Sequence, residues 1–135
     1  MEDIPTPTPR ELEILKVLWG HGPSSVRHVH RHLPSASADD LAYNTVQTLL
    51  RIMEKKGLVE HHLEGRTFIY TPQYTRDESA ARFLDRVFDG AAAQMVLSLL
   101  RSERISPAEL DRMHAMIAAA RRRRRGPSAP TEDKP

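Results

Sequence analysis

A mainly α-helical chain carrying one small β-hairpin is the fold class this sequence predicts, and three observations predict it. Thr8-Pro9-Arg10-Glu11, Thr75-Arg76-Asp77-Glu78 and Ser106-Pro107-Ala108-Glu109 each put a hydroxyl three residues before a glutamate, the pattern that satisfies the free amides of a helix start. Apolar residues recur at helical spacing along most of the chain. Between Leu58 and Thr71 that period gives way to two short runs rich in β-branched and aromatic residues around Leu63-Glu64-Gly65-Arg66, which reads as a hairpin. Three helices and then a hairpin is the order of a winged helix-turn-helix domain, and three further helices follow it.

The first helix opens at Thr8, with Pro9 presetting φ at its first position, and runs to about Trp19 before Gly20-His21-Gly22-Pro23 stops it. Leu12, Leu15, Leu18 and Trp19 form its inward stripe, with Ile14 and Val17 on a flank. Ser24 and Ser25 offer an N-cap for a second helix over 26–33, ended by Pro34, whose inner face holds Val26, Val29 and Leu33. A polar loop over 35–41 leads to the third helix, Ala42 to Lys56, closed by Gly57.

On the third helix Val46, Leu49, Leu50 and Met53 share one apolar stripe. Its outer face carries amide, hydroxyl and guanidinium groups in place of the scattered Glu and Lys of an ordinary solvated surface. Such groups bond to base edges and phosphates, so this is the predicted recognition helix. Asn44, Thr45, Gln47, Thr48, Arg51 and Lys55 are its expected DNA contacts, and Arg66 at the hairpin tip is expected to reach a phosphate or the minor groove. Lys56 lies near the same surface. Val59, Phe68 and Tyr70 are expected to dock the hairpin onto the helices, because an isolated two-stranded hairpin is marginal.

Domain boundaries follow: a lead-in over 1–7, the winged-helix domain over 8–73, a helical dimerisation domain over 74–120 and a basic disordered tail over 121–135. In the third region Phe83, Leu84, Val87 and Phe88, then Met95, Val96, Leu99 and Leu100, then Leu110, Met113 and Ile117 make apolar stripes too thin for a private core. An identical partner chain would cover them in an isologous interface.

The net charge of +2 is unevenly spread: −1 over residues 1–72, −1 over 73–120 and +4 over 121–135. Any DNA binding by the N-terminal part therefore rests on local placement of cations rather than bulk attraction. With no cysteine, thiolate chemistry and disulfides are excluded. No apolar run approaches the roughly 20 residues of a membrane span, so a cytoplasmic protein without membrane insertion is expected. His28 and His32 stand at the i, i+4 spacing of two metal ligands on one helix face, but no carboxylate or thiolate nearby completes a set, so the expectation is a polar face. No metal, cofactor or catalytic residue is predicted. A hydrolase built on the histidines lacks a nucleophile and base pair; a winged helix used only for protein association is the remaining competitor, against which the basic residues around the third helix and the hairpin tip count.

The chain resembles the penicillinase-repressor family of bacterial winged-helix regulators, which includes β-lactamase, methicillin-resistance and copper-responsive repressors. The likeness runs over about residues 8–118. It is carried by Glu11-Leu12-Glu13-Ile14-Leu15-Lys16-Val17-Leu18-Trp19, by Leu41-Ala42-Tyr43-Asn44-Thr45-Val46-Gln47-Thr48-Leu49-Leu50, by Glu54-Lys55-Lys56-Gly57-Leu58-Val59 and by Gly65-Arg66-Thr67-Phe68-Ile69-Tyr70. Val26-Arg27, Phe88-Asp89-Gly90 and Ile105-Ser106-Pro107-Ala108-Glu109-Leu110 extend it. The resemblance implies a homodimer that represses transcription from a dyad-symmetric operator of double-stranded DNA, with the third helix in the major groove.

Three departures qualify it. Ile52 stands where the family often has Arg, leaving Arg51 to replace that contact. The absence of cysteine excludes the copper-responsive thiolate motif. In antibiotic-responsive members a membrane sensor with a metalloprotease domain acts upstream, and the corresponding cut falls near Ser98-Leu99, which is not the Asn-Phe pair expected there.

Overall fold

The computed structural model describes residues 6–34 and 41–125. The expected lead-in up to residue 5, the loop over 35–40 and the tail beyond Arg125 lie outside the described residues. The chain divides into two compact units, 1–82 and 83–135.

In the first unit, helix α1 spans Pro9–His21, and both halves of the expected box are made: Glu11 N–H donates to Thr8 Oγ1 at 3.2 Å and Thr8 N–H to Glu11 Oε1 at 2.9 Å. The helix runs two residues past the expected Trp19 and ends where Gly22 takes a φ of 85°. Strand β1, Ser24–Ser25, precedes helix α2, Val26–His32, whose first turn is capped by the Ser25 hydroxyl accepting from His28 N–H at 3.1 Å. Helix α3 spans Tyr43–Lys56, and strands β2, Val59–Glu64, and β3, Thr67–Pro72, complete the wing. The sheet is antiparallel in the order β1-β3-β2, with Ser24 opposite Tyr70 and His61 opposite Tyr70 on the other side.

The core of this unit is Ile14, Leu15, Val17, Leu18, Val26, Val29, Leu33, Val46, Leu50, Met53, Leu58, Val59, Tyr70 and Tyr74. Ile14 and Val17, expected on a flank of α1, are fully in it, whereas Leu12 and Trp19 are only partly buried. Trp19 packs against the core rim and its indole N–H donates to the Tyr74 carbonyl at 2.9 Å. Phe68 does not dock: it is 41% exposed, because this stretch of hairpin extends beyond the helices and only Val59 and Tyr70 reach the core.

A charged group joins the apolar core. Glu11 is 2% exposed and takes Lys56 Nζ at 2.8 Å, so the start of α1 is tied to the end of α3. Burial alone would raise the Glu11 pKa, but the Lys56 ammonium and the Thr8 amide and hydroxyl outweigh it and hold the carboxyl below its ordinary 4.5.

Helix α4, Arg76–Phe88, opens with the second expected box, Thr75 N–H to Glu78 Oε1 at 2.8 Å and the reciprocal bond at 3.0 Å. The unit boundary falls inside this helix, after Arg82, not at residue 73. Its first turns belong with the winged helix: Arg76 lies over the Trp19 ring at 5.7 Å and Arg82 over Tyr74 at 4.9 Å.

The second unit holds the end of α4, helix α5, Ala92–Arg101, and helix α6, Pro107–Arg125. Arg121 to Arg125, expected as the start of a disordered tail, continue α6. Ala118-Ala119-Ala120 leads into arginines, all strong helix formers, and the cations complement the negative end of the helix. None of the three helices buries a residue.

Candidate nucleic-acid interface

Helix α3 is seated by its apolar stripe: Val46, Leu50 and Met53 are wholly buried and Leu49 is partly so. Gly57 ends it in the left-handed region, φ 85° and ψ 17°, with its N–H on the Glu54 carbonyl and Leu58 N–H on the Met53 carbonyl at 2.9 Å. That termination turns the chain directly into β2. Burying this stripe fixes the opposite one outward, and Asn44, Thr48, Arg51 and Lys55 are all exposed.

Between α3 and the wing lies a groove of about 490 Å³ lined by Ser25, Val26, Arg27, Tyr43, Gln47, Arg51, Arg66, Thr67, Phe68 and Tyr70. Three guanidinium groups from three different parts of the chain border it, and among the described residues no carboxylate does. Among the described residues Arg27, Arg51 and Arg66 have no ion-pair partner. Arg51 also acts on Tyr70 at the groove floor: burial and the Glu54 charge push the phenol pKa up, and Arg51 pulls against them.

The wing is longer and tighter than its sequence implied. Leu63 pairs with Phe68 and Glu64 with Thr67, leaving Gly65-Arg66 as a two-residue turn. Gly65 has a φ of 66° whereas Arg66 is not in the left-handed region, the glycine-first pattern whose twist matches paired strands. The wing is braced from below. His61 stacks on Phe68 with ring centroids 4.2 Å apart and planes 7° off parallel, and His61 Nδ1 meets the Glu54 carboxylate of α3 at 2.8 Å. His61 and His62 fall on opposite faces, as expected of adjacent strand residues; His62 pairs with Glu64 at 3.2 Å.

The predicted contacts therefore separate. Gln47, Arg51 and Arg66 line the groove; Asn44, Thr48 and Lys55 lie on the exposed stripe of α3. Thr45 is exposed but sits about 160° around the helix from Gln47, on the flank away from the wing. Lys56 is committed to Glu11. Sequence reasoning did not single out Arg27, Tyr43 or Thr67, which also line the groove. Arg27 follows the buried Val26 on α2, and only the two-residue strand β1, which carries no sequence signal of its own, brings that turn beside β3.

In the second unit every expected interface residue is at least partly open to solvent. Phe83, Val87, Val96, Leu99, Leu100, Leu110 and Ile117 are exposed; Leu84, Phe88, Met95 and Met113 are half-buried. Leu97 and Met116, not singled out by spacing, join the exposed apolar set. Ser98 and Leu99 lie mid-helix in α5, where the Ser98 carbonyl accepts from Ser102 N–H at 3.1 Å.

The His28 and His32 rings stack at 4.1 Å, and His21, the last residue of α1, joins them with centroids 5.1 and 4.5 Å away. This third imidazole is what the spacing within α2 did not supply.

Among the described residues no helix is long and apolar enough to cross a membrane. The penicillinase repressor family model matches residues 7–119. The chain is 31% identical over 129 residues to the penicillinase repressor of Bacillus licheniformis, covering 93% of this chain and 99% of that one. It is 33% identical over 113 residues to the transcriptional regulator BlaI of Mycobacterium tuberculosis, 80% of each chain. The solved structure of monomeric B. licheniformis BlaI in complex with the blaP half-operator aligns at 36% identity over 58% of this chain and 93% of that one, with a TM-score of 0.48, an overlap too partial to carry weight by itself. On the extent of the family match and of these two relatives, the chain belongs to the penicillinase repressor family.

Proposed function

We propose that the protein is a sequence-specific DNA-binding repressor of transcription, acting in the cytoplasm as a homodimer on a dyad-symmetric operator. The observation that carries this reading is the groove in which Arg27, Arg51 and Arg66 stand together, with no carboxylate among the described residues of its lining. Around one concave surface the guanidinium groups of Arg27 and Arg66 fit a phosphate backbone, while that of Arg51 and the amides and hydroxyls of α3 fit base edges. Family membership supports the same role.

In this reading α3 enters the major groove, where Asn44, Gln47, Thr48 and Arg51 read bases. Lys55, Arg27 and Arg66 hold phosphates, with Arg66 alongside the site at the wing tip, and Thr45 on the far flank meets backbone. Two such helices about 34 Å apart address successive major-groove turns. The second unit supplies the dimer through Phe83, Val87, Val96, Leu99, Leu100 and their neighbours, all left open to water in the single chain.

Derepression acts on that unit. An upstream sensor protease cutting near Ser98-Leu99 would sever α5, and because that bond lies in regular helix, local unfolding must precede the cut. The test is selection of bound genomic fragments by the purified protein, read beside its mass in solution. One dyad motif bound by a dimer is expected; no enrichment over random DNA at moderate salt would overturn the reading in favour of a protein-association module.

A further inference from the structure

We infer that His21, His28 and His32 form a binding site for one zinc ion, joining the end of α1 to α2. The three residues each offer a ligand nitrogen, and those nitrogens all lie within 4.8 Å of one another. Zinc takes imidazole nitrogen at about 2.0–2.1 Å in a tetrahedral set, which puts two such nitrogens about 3.3 Å apart. His21 Nδ1 and His28 Nε2 are already at 3.4 Å. The third nitrogen, on the exposed His32, lies within 4.8 Å of both.

The tautomer of His32 is set for this. Its Nδ1 lies 2.9 Å from the His28 carbonyl, which can only accept, so Nδ1 is the donor there and Nε2 is the nitrogen left to face a metal. His21 and His32 are each the last residue of their helix, so two negative helix ends converge on the cation. Arg31 beside His28, and Lys16 on the adjoining groove, are charges that oppose it. The fourth position opens on a shallow groove bordered by Glu13, Lys16, Gly20 and Pro34, with room for water or a carboxylate.

Bound zinc would clip α1 to α2 across the segment that holds β1, and so hold the helix that carries Arg27. The site is separate from the DNA-contacting groove and its assignment does not depend on the repressor reading.

The experiment uses the full chain without an affinity tag, stripped with a chelator and titrated with zinc chloride by calorimetry and with cobalt chloride by absorption. Expected are one equivalent per chain, the intense visible absorption of four-coordinate cobalt, and a Tm raised by several degrees at saturating zinc. His21→Ala, His28→Gln and His32→Ala should each weaken uptake about tenfold or more, with unchanged helical circular dichroism. His30→Ala and His114→Ala should leave it unchanged. Absence of saturable uptake, or uptake that survives His21→Ala at full strength, overturns the proposal. So does equal loss in His114→Ala.

Discussion

The two units use apolar residues in opposite ways. The first encloses fourteen buried hydrophobic residues in one cluster, including Val46, Leu50 and Met53 of the α3 stripe. In the second, α4 and α5 carry apolar stripes as pronounced as that of α3, yet none of its helices buries a residue. Helical amphipathicity is therefore not what distinguishes a self-sufficient domain; closure is. In the first unit the sheet and Tyr74 cap the helices, whereas α5 and α6 leave Leu99, Leu100 and Ile117 facing water. A second copy of the same surface is the covering that the proposed homodimer supplies.

The sharpest way to break this contrast is to damage each side separately. Leu50→Ala, at a site with no exposure, should cost about 3 kcal/mol and lower the unfolding midpoint equally at all protein concentrations. Val96→Asp with Leu100→Asp should do the reverse. We expect dimerisation weakened about a hundredfold, near 2.7 kcal/mol, while the first unit still unfolds cooperatively. Sedimentation and dilution-dependent melting read the two. A concentration-dependent loss in Leu50→Ala, or an unchanged dimer in the double variant, would erase the distinction drawn between the units.

Smaller effects sharpen it. Glu11→Gln should cost roughly 1–2 kcal/mol at neutral pH, since it weakens the tie to Lys56 while keeping the side-chain volume. The folded Glu11 pKa is depressed, so its contribution is present above the ordinary 4.5 and lost as pH falls through the lower folded value. Urea titrations should thus show wild type and variant converging below pH 4.5, and a gap that widened with acid would reverse the assigned sign. At the operator, Arg51→Ala should cost about 1–3 kcal/mol and relax sequence preference, whereas Arg66→Ala and Arg27→Ala should weaken all sequences by about 1 kcal/mol and flatten the salt dependence. A change of preferred sequence in Arg66→Ala would move that residue from backbone to base contact.

Much of this fold was legible because its signals are local. Thr8 with Glu11 and Thr75 with Glu78 announced helices that form with the expected bonds, and Gly57 ended α3 as a C-terminal glycine should. The stripe of α3 needed only periodicity. What escaped depended on pairing between distant segments. Strand β1 is two serines, recognisable only through their distant partners Tyr70 and Ile69 on β3, and with it went Arg27. Glu11 read as a capping residue, and its second role appears only once Lys56 returns to it. The His28 and His32 spacing was visible, but the third imidazole sits across a turn from a different helix. Phe68 was misplaced because alternation assigns a face without saying how far along a strand that face remains covered.

The two-residue turn at Gly65-Arg66 also limits how this surface can change. In a strand ladder, one residue added or removed between Glu64 and Thr67 would have to be absorbed as a bulge or would invert every later side chain. Inversion would take Tyr70 out of the core and β1 out of register. The tip can therefore exchange one side chain for another with little disturbance, but the wing's length is tied to the packing beneath it. Relatives that read different operators from this frame are expected to differ at positions such as Arg66 and along the outer stripe of α3, while keeping the number of residues between Val59 and Pro72 constant.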